Sequence, residues 1–456
     1  MKNSQKKKKK KKGKKMPSYL QYKKMMAVLD AEFKEEEHPR DDDGKFTNKN
    51  GGGSSSGSEN KSGEKPSAEK TNAQSKGNMW SGYKTAVAEF NRISELFNHG
   101  RVTENEMNTA RNNFMEAKGT IQNSLKKIPK EYRANYADMM MRVHESAEKE
   151  VTEDDALKSA VELAKQLNKP YGEKEITQRI ADFAEYRKKA KSVKNDLGKT
   201  VQVDSQMKYK KGGKFVDGEY KGGEYGQERA ELQYSIISTQ EKKDEKGKTI
   251  LDANGDPVYE KIVWEKKMPA KGEKPKLIIL GGRGGSGKSS FTDGSLGDDG
   301  YDREKFFVID PDEYKTRLPE YKDKKGTKYY GVNAWEVHEE SSDMKKAALE
   351  MAKQKGANVV LDGTLSKYSS VKKVIDAFKE AGYDVEGAYM HLPREKSVAR
   401  GILRGMKGRF VPVGQLLNMK ENEDVFEQLM PEFSKWSIYD NDVPKGEKPK
   451  LVARSK

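Results

Sequence analysis

Residues 276–291 read KLIILGGRGGSGKSSF, an apolar run that passes into glycines, one lysine and paired serines. Gly282 to Ser289 fits the spacing G-x-x-x-x-G-K-[ST], that of a loop that wraps a chain of phosphates. Gly282, Gly284, Gly285 and Gly287 let backbone N–H groups curl around phosphate oxygens, and Arg283, Ser286 and Ser290 complete the candidate nucleotide-binding stretch. Lys288 can reach the β- and γ-phosphates of ATP, and the Ser289 hydroxyl can ligate Mg²⁺. The bland alternative is a flexible Gly-rich turn. Against it stands Leu277-Ile278-Ile279-Leu280, which reads as a buried strand immediately before the loop.

Two further apolar runs end in acids. Residues 306–309 lead into Asp310-Pro311-Asp312, and residues 358–361 lead into Asp362-Gly363-Thr364. One acid at a strand end is often only a helix cap, whereas two in register with a phosphate loop point to a site. Asp310 and Asp312 are two apart, so strand alternation does not separate them. Pro311 breaks the strand there, which is expected to turn Asp312 into the cleft and leave Asp310 nearer the loop. Arg394, Arg400, Arg404, Lys407 and Arg409 crowd one later stretch. They read either as a solvated basic helix or as a lid whose guanidinium groups neutralise charge during phosphoryl transfer.

These residues need a frame. Strands at 277–280, 306–309, 358–361, 385–391 and 437–439 alternate with helical patterns, including a crossover helix over 335–355 that ends at Gly356. The pattern predicts an α/β domain around the P-loop, a mostly parallel sheet with helices on both faces and its chemistry at the carboxyl ends of the strands. Gly294 and Gly297 interrupt the segment after Ser289, so its first helical turn should be short.

Upstream the character changes. Residues 77–200 carry helical periodicity over 79–98, 103–127, 132–149, 154–167 and 173–195, with Thr103 and Glu106 as a candidate capping box, and predict a helical bundle. His144 has no second histidine or carboxylate pattern and reads as a surface or hydrogen-bonded residue, not a metal ligand. Residues 201–270 predict a small antiparallel β meander and linker, with strands at 232–237, 249–251 and 258–264 and an Asn254-Gly255 hairpin turn. Residues 1–76 read as a disordered tail, Lys-rich and then Gly/Ser-rich, with one amphipathic stretch over 19–33.

Composition agrees with this division. In a chain of 456 residues the apolar set is 33% and the charged set 36%, too polar for one compact core of that length. Net charge is +16, but ten of the positives are lysines between Lys2 and Lys15, leaving +6 elsewhere. The basicity therefore belongs to a tail, a solvated segment with weak polyanion contact as its alternative role. The absence of cysteine removes disulfides, thiolate metal sites and thiol nucleophiles and suits a reducing cytoplasm. No apolar run is long enough for a membrane span, and the basic start lacks the apolar stretch of a signal peptide.

Taken together, GGRGGSGKSSF, VIDPDEYKTRLPEY, ANVVLDGTLS, ARGILRGMKGRFVP and SIYDND resemble the zeta toxin family of P-loop kinases over about 275–453. The resemblance implies an ATP- and Mg²⁺-dependent kinase of bacterial or mobile-element origin that phosphorylates UDP-N-acetylglucosamine or a similar small acceptor. It implies Lys288 and Ser289 as the phosphate-loop pair and Asp312 as catalytic base. It implies Asp362 beside Thr364 as the acid that supports metal or acceptor, and Arg404 and Arg409 as lid arginines, with Arg400 a rival for the first. Separately, HPRDDDGKF at 38–46 is similar to a segment near the start of tailed-phage proteins, which suggests a phage-encoded or virion-associated chain in a bacterial host. The expected partners are an antitoxin or a phage structural protein. Two alternatives stand beside this reading: a kinase acting on a nucleic-acid end, and an interaction protein whose P-loop domain is a nucleotide-dependent switch.

Overall fold

The computed structural model describes residues 79–455 apart from 100, 246–247, 420–421 and 445. The tail over 1–76, its amphipathic stretch and the segment 38–46 lie outside the described residues.

The kinase domain is built on a six-stranded sheet. Its strands are β9 (Lys276–Gly281), β10 (Phe307–Ile309), β11 (Val359–Asp362), β12 (Asp384–His391), β13 (Lys435–Asp440) and β14 (Lys450–Arg454), in the order β10-β11-β9-β12-β13-β14. All neighbours are parallel except β13 and β14. Side chains alternate across a strand, and the burial follows that alternation. Leu277 and Ile279 of β9 join a large core with Val359, Val385 and Ile438, whereas Ile278 and Leu280 face Val360, Ala388, Met390 and Tyr439.

The steps β10 to β11, β11 to β12 and β12 to β13 all run the same way across the sheet. Right-handed crossovers therefore bring α11 (His338–Lys355), α12 (Tyr368–Glu380) and α15 (Asn422–Leu429) to one face, whereas α13 (Arg394–Gly405) and α14 (Val413–Leu417) of the last crossover form a separate apolar cluster off the sheet. Only β9 to β10 steps the other way. There the chain forms 3₁₀ turns at Lys288–Phe291 and Gly297–Asp299, with Gly294 and Gly297 at φ +85° and +58°, so the short first turn expected from these glycines is what forms. The helical cover is thus uneven. Phe291, Leu296, Tyr301 and Phe306 fill that second face. Gly356 ends α11 in the left-handed region, at φ +67°.

Five helices span 79–189: α1 (Met79–Asn98), α2 (Glu104–Leu125), α3 (Arg133–Glu148), α4 (Glu153–Gln166) and α5 (Glu173–Lys189). Thr103 and Glu106 form the expected capping box on α2. α1 and α2 pack on each other, with Phe114 stacked on Tyr83 and Phe90, and the region meets the rest of the chain at two further places. Trp80, Tyr136, Met139 and Met140 belong to the core of the sheet, and Ala156, Ala160 and Ala164 of α4 pack with Val398, Ala399 and Ile402 of α13. His144 is fully buried, with Nε2 3.0 Å from Asp424 Oδ1 and Nδ1 3.2 Å from Ser81 Oγ, a hydrogen-bonded residue that joins α1, α3 and α15.

Between these parts lie β1 (Ser192–Lys194), β2 (Thr200–Gln202), α6 (Ser205–Tyr209), β3 (Lys210–Lys211), β4 (Lys214–Val216), β5 (Glu219–Lys221), β6 (Glu224–Tyr225), α7 (Gln227–Ile237), β7 (Thr239–Glu241), β8 (Tyr259–Lys261) and α8 (Trp264–Lys267). The expected single meander is instead four separate antiparallel pairs, β1-β2, β3-β6, β4-β5 and β7-β8. Residues 232–237 are helix, not strand. The run LQYSII alternates, but Arg229, Gln233, Ile236 and Ile237 share a buried helical face. Arg229 anchors it, with Nε 2.6 Å from Glu340 Oε1 and Nη2 2.7 Å from Glu320 Oε2. Tertiary pairing overrides the period-two signal. Residues 249–251 make only the isolated bridges Lys243–Thr249 and Leu251–Pro257 around the Asn254-Gly255 turn, and Trp264 starts a helical turn instead of ending a strand.

Candidate active site

The loop after β9 has the backbone its sequence demands. Gly282, Gly285 and Gly287 have φ of +144°, +86° and +93°, a region that L side chains avoid. Space is also absent: a Cβ on Gly282 would lie 2.6 Å from the Met390 carbonyl oxygen, and one on Gly287 2.2 Å from Asn441 Nδ2. Asn441, just past β13, donates through Nδ2 to the Ser286 carbonyl at 2.7 Å and so braces the loop from the neighbouring strand end. Ser286 Oγ is buried without a hydrogen-bond partner among the described residues. Ser289 is exposed and Ser290 half-buried. Lys288 Nζ donates to the Gly282 carbonyl at 2.9 Å and lies 3.6 Å from Asp362 Oδ1.

Arg283 departs from the expectation of a loop residue facing the nucleotide. Its guanidinium turns into the protein body, where Nε donates to the Met419 carbonyl at 2.8 Å and Nη1 pairs with Glu423, a carboxylate that also accepts from or pairs with His391 Nδ1 at 2.7 Å. Only the Arg283 backbone is left to face a phosphate. Burial works to raise the Glu423 pKa, but the Arg283 charge and the His391 bond outweigh it and hold it at about 2. Removing one member of such a buried pair leaves the other charge uncompensated. Glu423→Gln is therefore expected to cost about 3–5 kcal/mol, read as a lower thermal midpoint.

The acids lie at and just beyond the carboxyl ends of two strands of the sheet. Asp362 ends β11 and is pushed up to about 6, first by burial and then by Asp310, against the pull of Lys288. Asp310 caps α9 (Pro311–Arg317), its Oδ1 accepting from the Asp312 N–H at 2.8 Å, with Pro311 at the first helical position. That cap turns Asp312 out of the strand. Its carboxylate lies 2.9 Å from Lys315 Nζ and 2.8 Å from Arg409 Nη1. Burial lowers the pKa of Lys315 to about 8, so Asp312 is held between a buried amine and a guanidinium. Thr364 lies two residues beyond Asp362, and its carbonyl accepts from Asn422 Nδ2 at 2.6 Å.

Two of the three arginines of α13, Arg400 and Arg404, reach the loop. Arg404 Nη2 would lie 3.7 Å from a Cβ on Gly284, and the charges that act on Arg404 are those of Asp310 and Asp362. Arg400 packs its Cβ over Gly285 and feels Asp442 instead, at the opposite end of the loop. The geometry thus groups Arg404 and Arg409, not Arg400, with the acids. Sequence reasoning missed Asn441, Lys315, Glu423 and His391; Lys315 alone had a local signal, lying one turn after Asp312 on the same helix.

Glu313, next to Asp312, offers a pH test. Burial, then the Glu241 charge, raises its carboxyl to about 7. A raised acid stabilises the fold in full below its unfolded pKa, and the contribution is lost as pH rises through about 7. Glu313→Gln should therefore melt like the parent at pH 4 and several degrees higher at pH 8.

A glycine loop between a buried parallel strand and a lysine-serine turn, flanked by strand-end acids and a basic lid, defines a P-loop kinase fold. Residues 260–443 match the family model described as Zeta toxin. Among solved structures it is similar to one from the PezAT chromosomal toxin–antitoxin system of Streptococcus pneumoniae, at 20% identity over 40% of this chain and 72% of that one, TM-score 0.30. It is also similar to AvrRxo1-ORF1:-ORF2 with ATP, at 16% identity over 56% and 77%, TM-score 0.38. No curated protein matches.

Proposed function

We propose that the chain transfers the γ-phosphoryl group of ATP to a hydroxyl of a small acceptor, with UDP-N-acetylglucosamine as first choice. The observation that carries this reading is that Lys288 of the glycine loop pairs with Asp362 and Arg409 with Asp312, while the charge of Asp310 acts on Asp362, Arg404 and Arg409. The residues fit the nucleotide: Gly282 and Gly287 leave no room for side chains, and the buried Ser286 hydroxyl lacks a partner among the described residues. Ser289 and Asp362 are the residues that would hold Mg²⁺, which when bound supplies charge neutralisation between the phosphates. Among the described residues no cluster of three acids or histidines forms a cage, as suits an ion held largely by phosphates and water.

Within that frame the chain's own groups have separable tasks. Lys288 gives up the Gly282 carbonyl for a phosphate oxygen. Asp312 orients the acceptor hydroxyl and takes its proton, and Thr364 and Asp362 border the acceptor. Arg404 and Arg409 neutralise charge on the phosphoryl group as it moves. For Arg409 this requires loosening its ion pair with Asp312, which frees the carboxylate at the moment it is needed. The Zeta toxin match also supports an antitoxin as the chain's protein partner. No helix of the described residues is long and apolar enough to cross a membrane. Incubating the full chain with γ-labelled ATP, Mg²⁺ and a panel of sugar nucleotides should label at least one of them. A panel left unlabelled while ATP binds would count against a small sugar-nucleotide acceptor and favour a nucleic-acid end or a nucleotide switch.

A further inference from the structure

Helix α5 reaches into the loop that carries Arg409. Arg179 donates through Nε to the Gly405 carbonyl at 3.0 Å and through Nη1 to the Lys328 carbonyl at 2.9 Å. Its Nη2 donates to the Tyr330 carbonyl and, at 3.3 Å, to that of Gly408. One guanidinium thus ties the end of the lid helix to the 328–331 segment with charge-assisted bonds. The two segments also touch directly, Phe410 N–H donating to the Gly331 carbonyl at 3.0 Å. Gly331, at φ +85°, lies so close to Gly408 that a Cβ there would be 1.7 Å from its carbonyl oxygen. One turn along α5, Phe183 packs on Phe410 with ring centroids 5.0 Å apart. Arg409 therefore sits between two residues, Gly408 and Phe410, that α5 holds, and its own guanidinium meets Asp312. On the other side, the buried alanines of α4 let α13 pack closely against it.

We propose that Arg179 is a positioning residue for phosphoryl transfer. The helices α4 and α5 hold the lid arginines over the phosphate loop, so the N-terminal helical region is a working part of the site and not a removable regulator. The inference rests on the kinase reading given above. Its physical basis is that a misplacement of about 1 Å at a transferring group can cost about a hundredfold in rate. Four carbonyl contacts through one side chain fix that placement from outside the cleft.

The test uses the full chain. Arg179→Ala should lower kcat about 10- to 100-fold with the Kd for ATP unchanged, and Arg179→Lys should restore part of the loss. In an Arg409→Ala background the same substitution should cost little more, because Arg179 acts through that loop. A purely structural role would instead multiply the two losses and lower ATP affinity with them. Either that multiplication or an unchanged kcat in Arg179→Ala overturns the proposal. Should Arg179→Ala not fold, Phe183→Leu carries the same comparison. Amide hydrogen exchange over 406–412 separates this inference from the kinase reading. If the parent itself turns over no phosphoryl group, the kinase reading fails. Faster exchange confined to 406–412 in Arg179→Ala then still supports the brace, and unchanged exchange overturns it.

Discussion

Asp312→Asn is expected to bind ATP as the parent does and to lose phosphoryl transfer by about 10²–10⁴-fold, the usual weight of a general base. The substitution keeps the size of the side chain and a hydrogen-bonding oxygen for Arg409 and Lys315, but removes the group that accepts a proton. Asp312 lies off the glycine loop, turned outward by the Asp310 cap, so nothing in the nucleotide cradle changes. Because its proposed role touches only the acceptor, kcat should fall while ATP affinity stays within about threefold. Parallel measurement of ATP binding and of product formation checks both halves. Equal turnover in variant and parent would remove Asp312 from the mechanism and leave Asp310 or Asp362 to be tested as the base.

Lys288→Ala should lower transfer by about 10²–10³-fold, the range seen when one preorganised charge is removed from a transition state. In the structure the lysine amine rests on the Gly282 carbonyl and near Asp362, poised at the mouth of the loop. Its loss removes the positive charge aimed at the β- and γ-phosphates and leaves the buried Asp362 without the group that holds its pKa down. ATP affinity should therefore fall together with kcat, which distinguishes this variant from Asp312→Asn. If expression of the parent is toxic, Lys288→Ala should relieve it. Unchanged toxicity from a stably folded variant would separate that toxicity from kinase activity.

What was legible in the chain follows how local each signal is. The phosphate loop, its strand and the strand-end acids could be read because adjacent residues carry them, and the glycine requirement reappears as positive φ at Gly282, Gly285 and Gly287. The order of elements from β9 to β13 was legible for the same reason. β14 was not, since residues 450–454 pair only with a strand brought beside them by the fold. The helix over 227–237 was hidden behind an alternating run, because what selects it is Glu340, more than a hundred residues away. Arg283 looked like a loop residue, since nothing nearby announces Glu423 or His391. The helical region looked self-contained because helical periodicity shows that a face is buried and not what buries it. Beside the packing of α1 on α2, its apolar faces are spent on the sheet and on α13. Arg179 on α5 reads in sequence as one more solvated charge, and only the fold brings it to Gly405 and Gly408.

The central claim is that these residues form one phosphoryl-transfer site, and the most direct measurement follows the acceptor itself. The full chain and its Asp312→Asn variant are each incubated with ATP, Mg²⁺ and UDP-N-acetylglucosamine, and the sugar nucleotide is weighed by mass spectrometry before and after. The account predicts one added phosphate with the parent and none with the variant, although both bind ATP. An acceptor phosphorylated equally by both, or ATP consumed by the parent with every tested acceptor left unchanged, would contradict it.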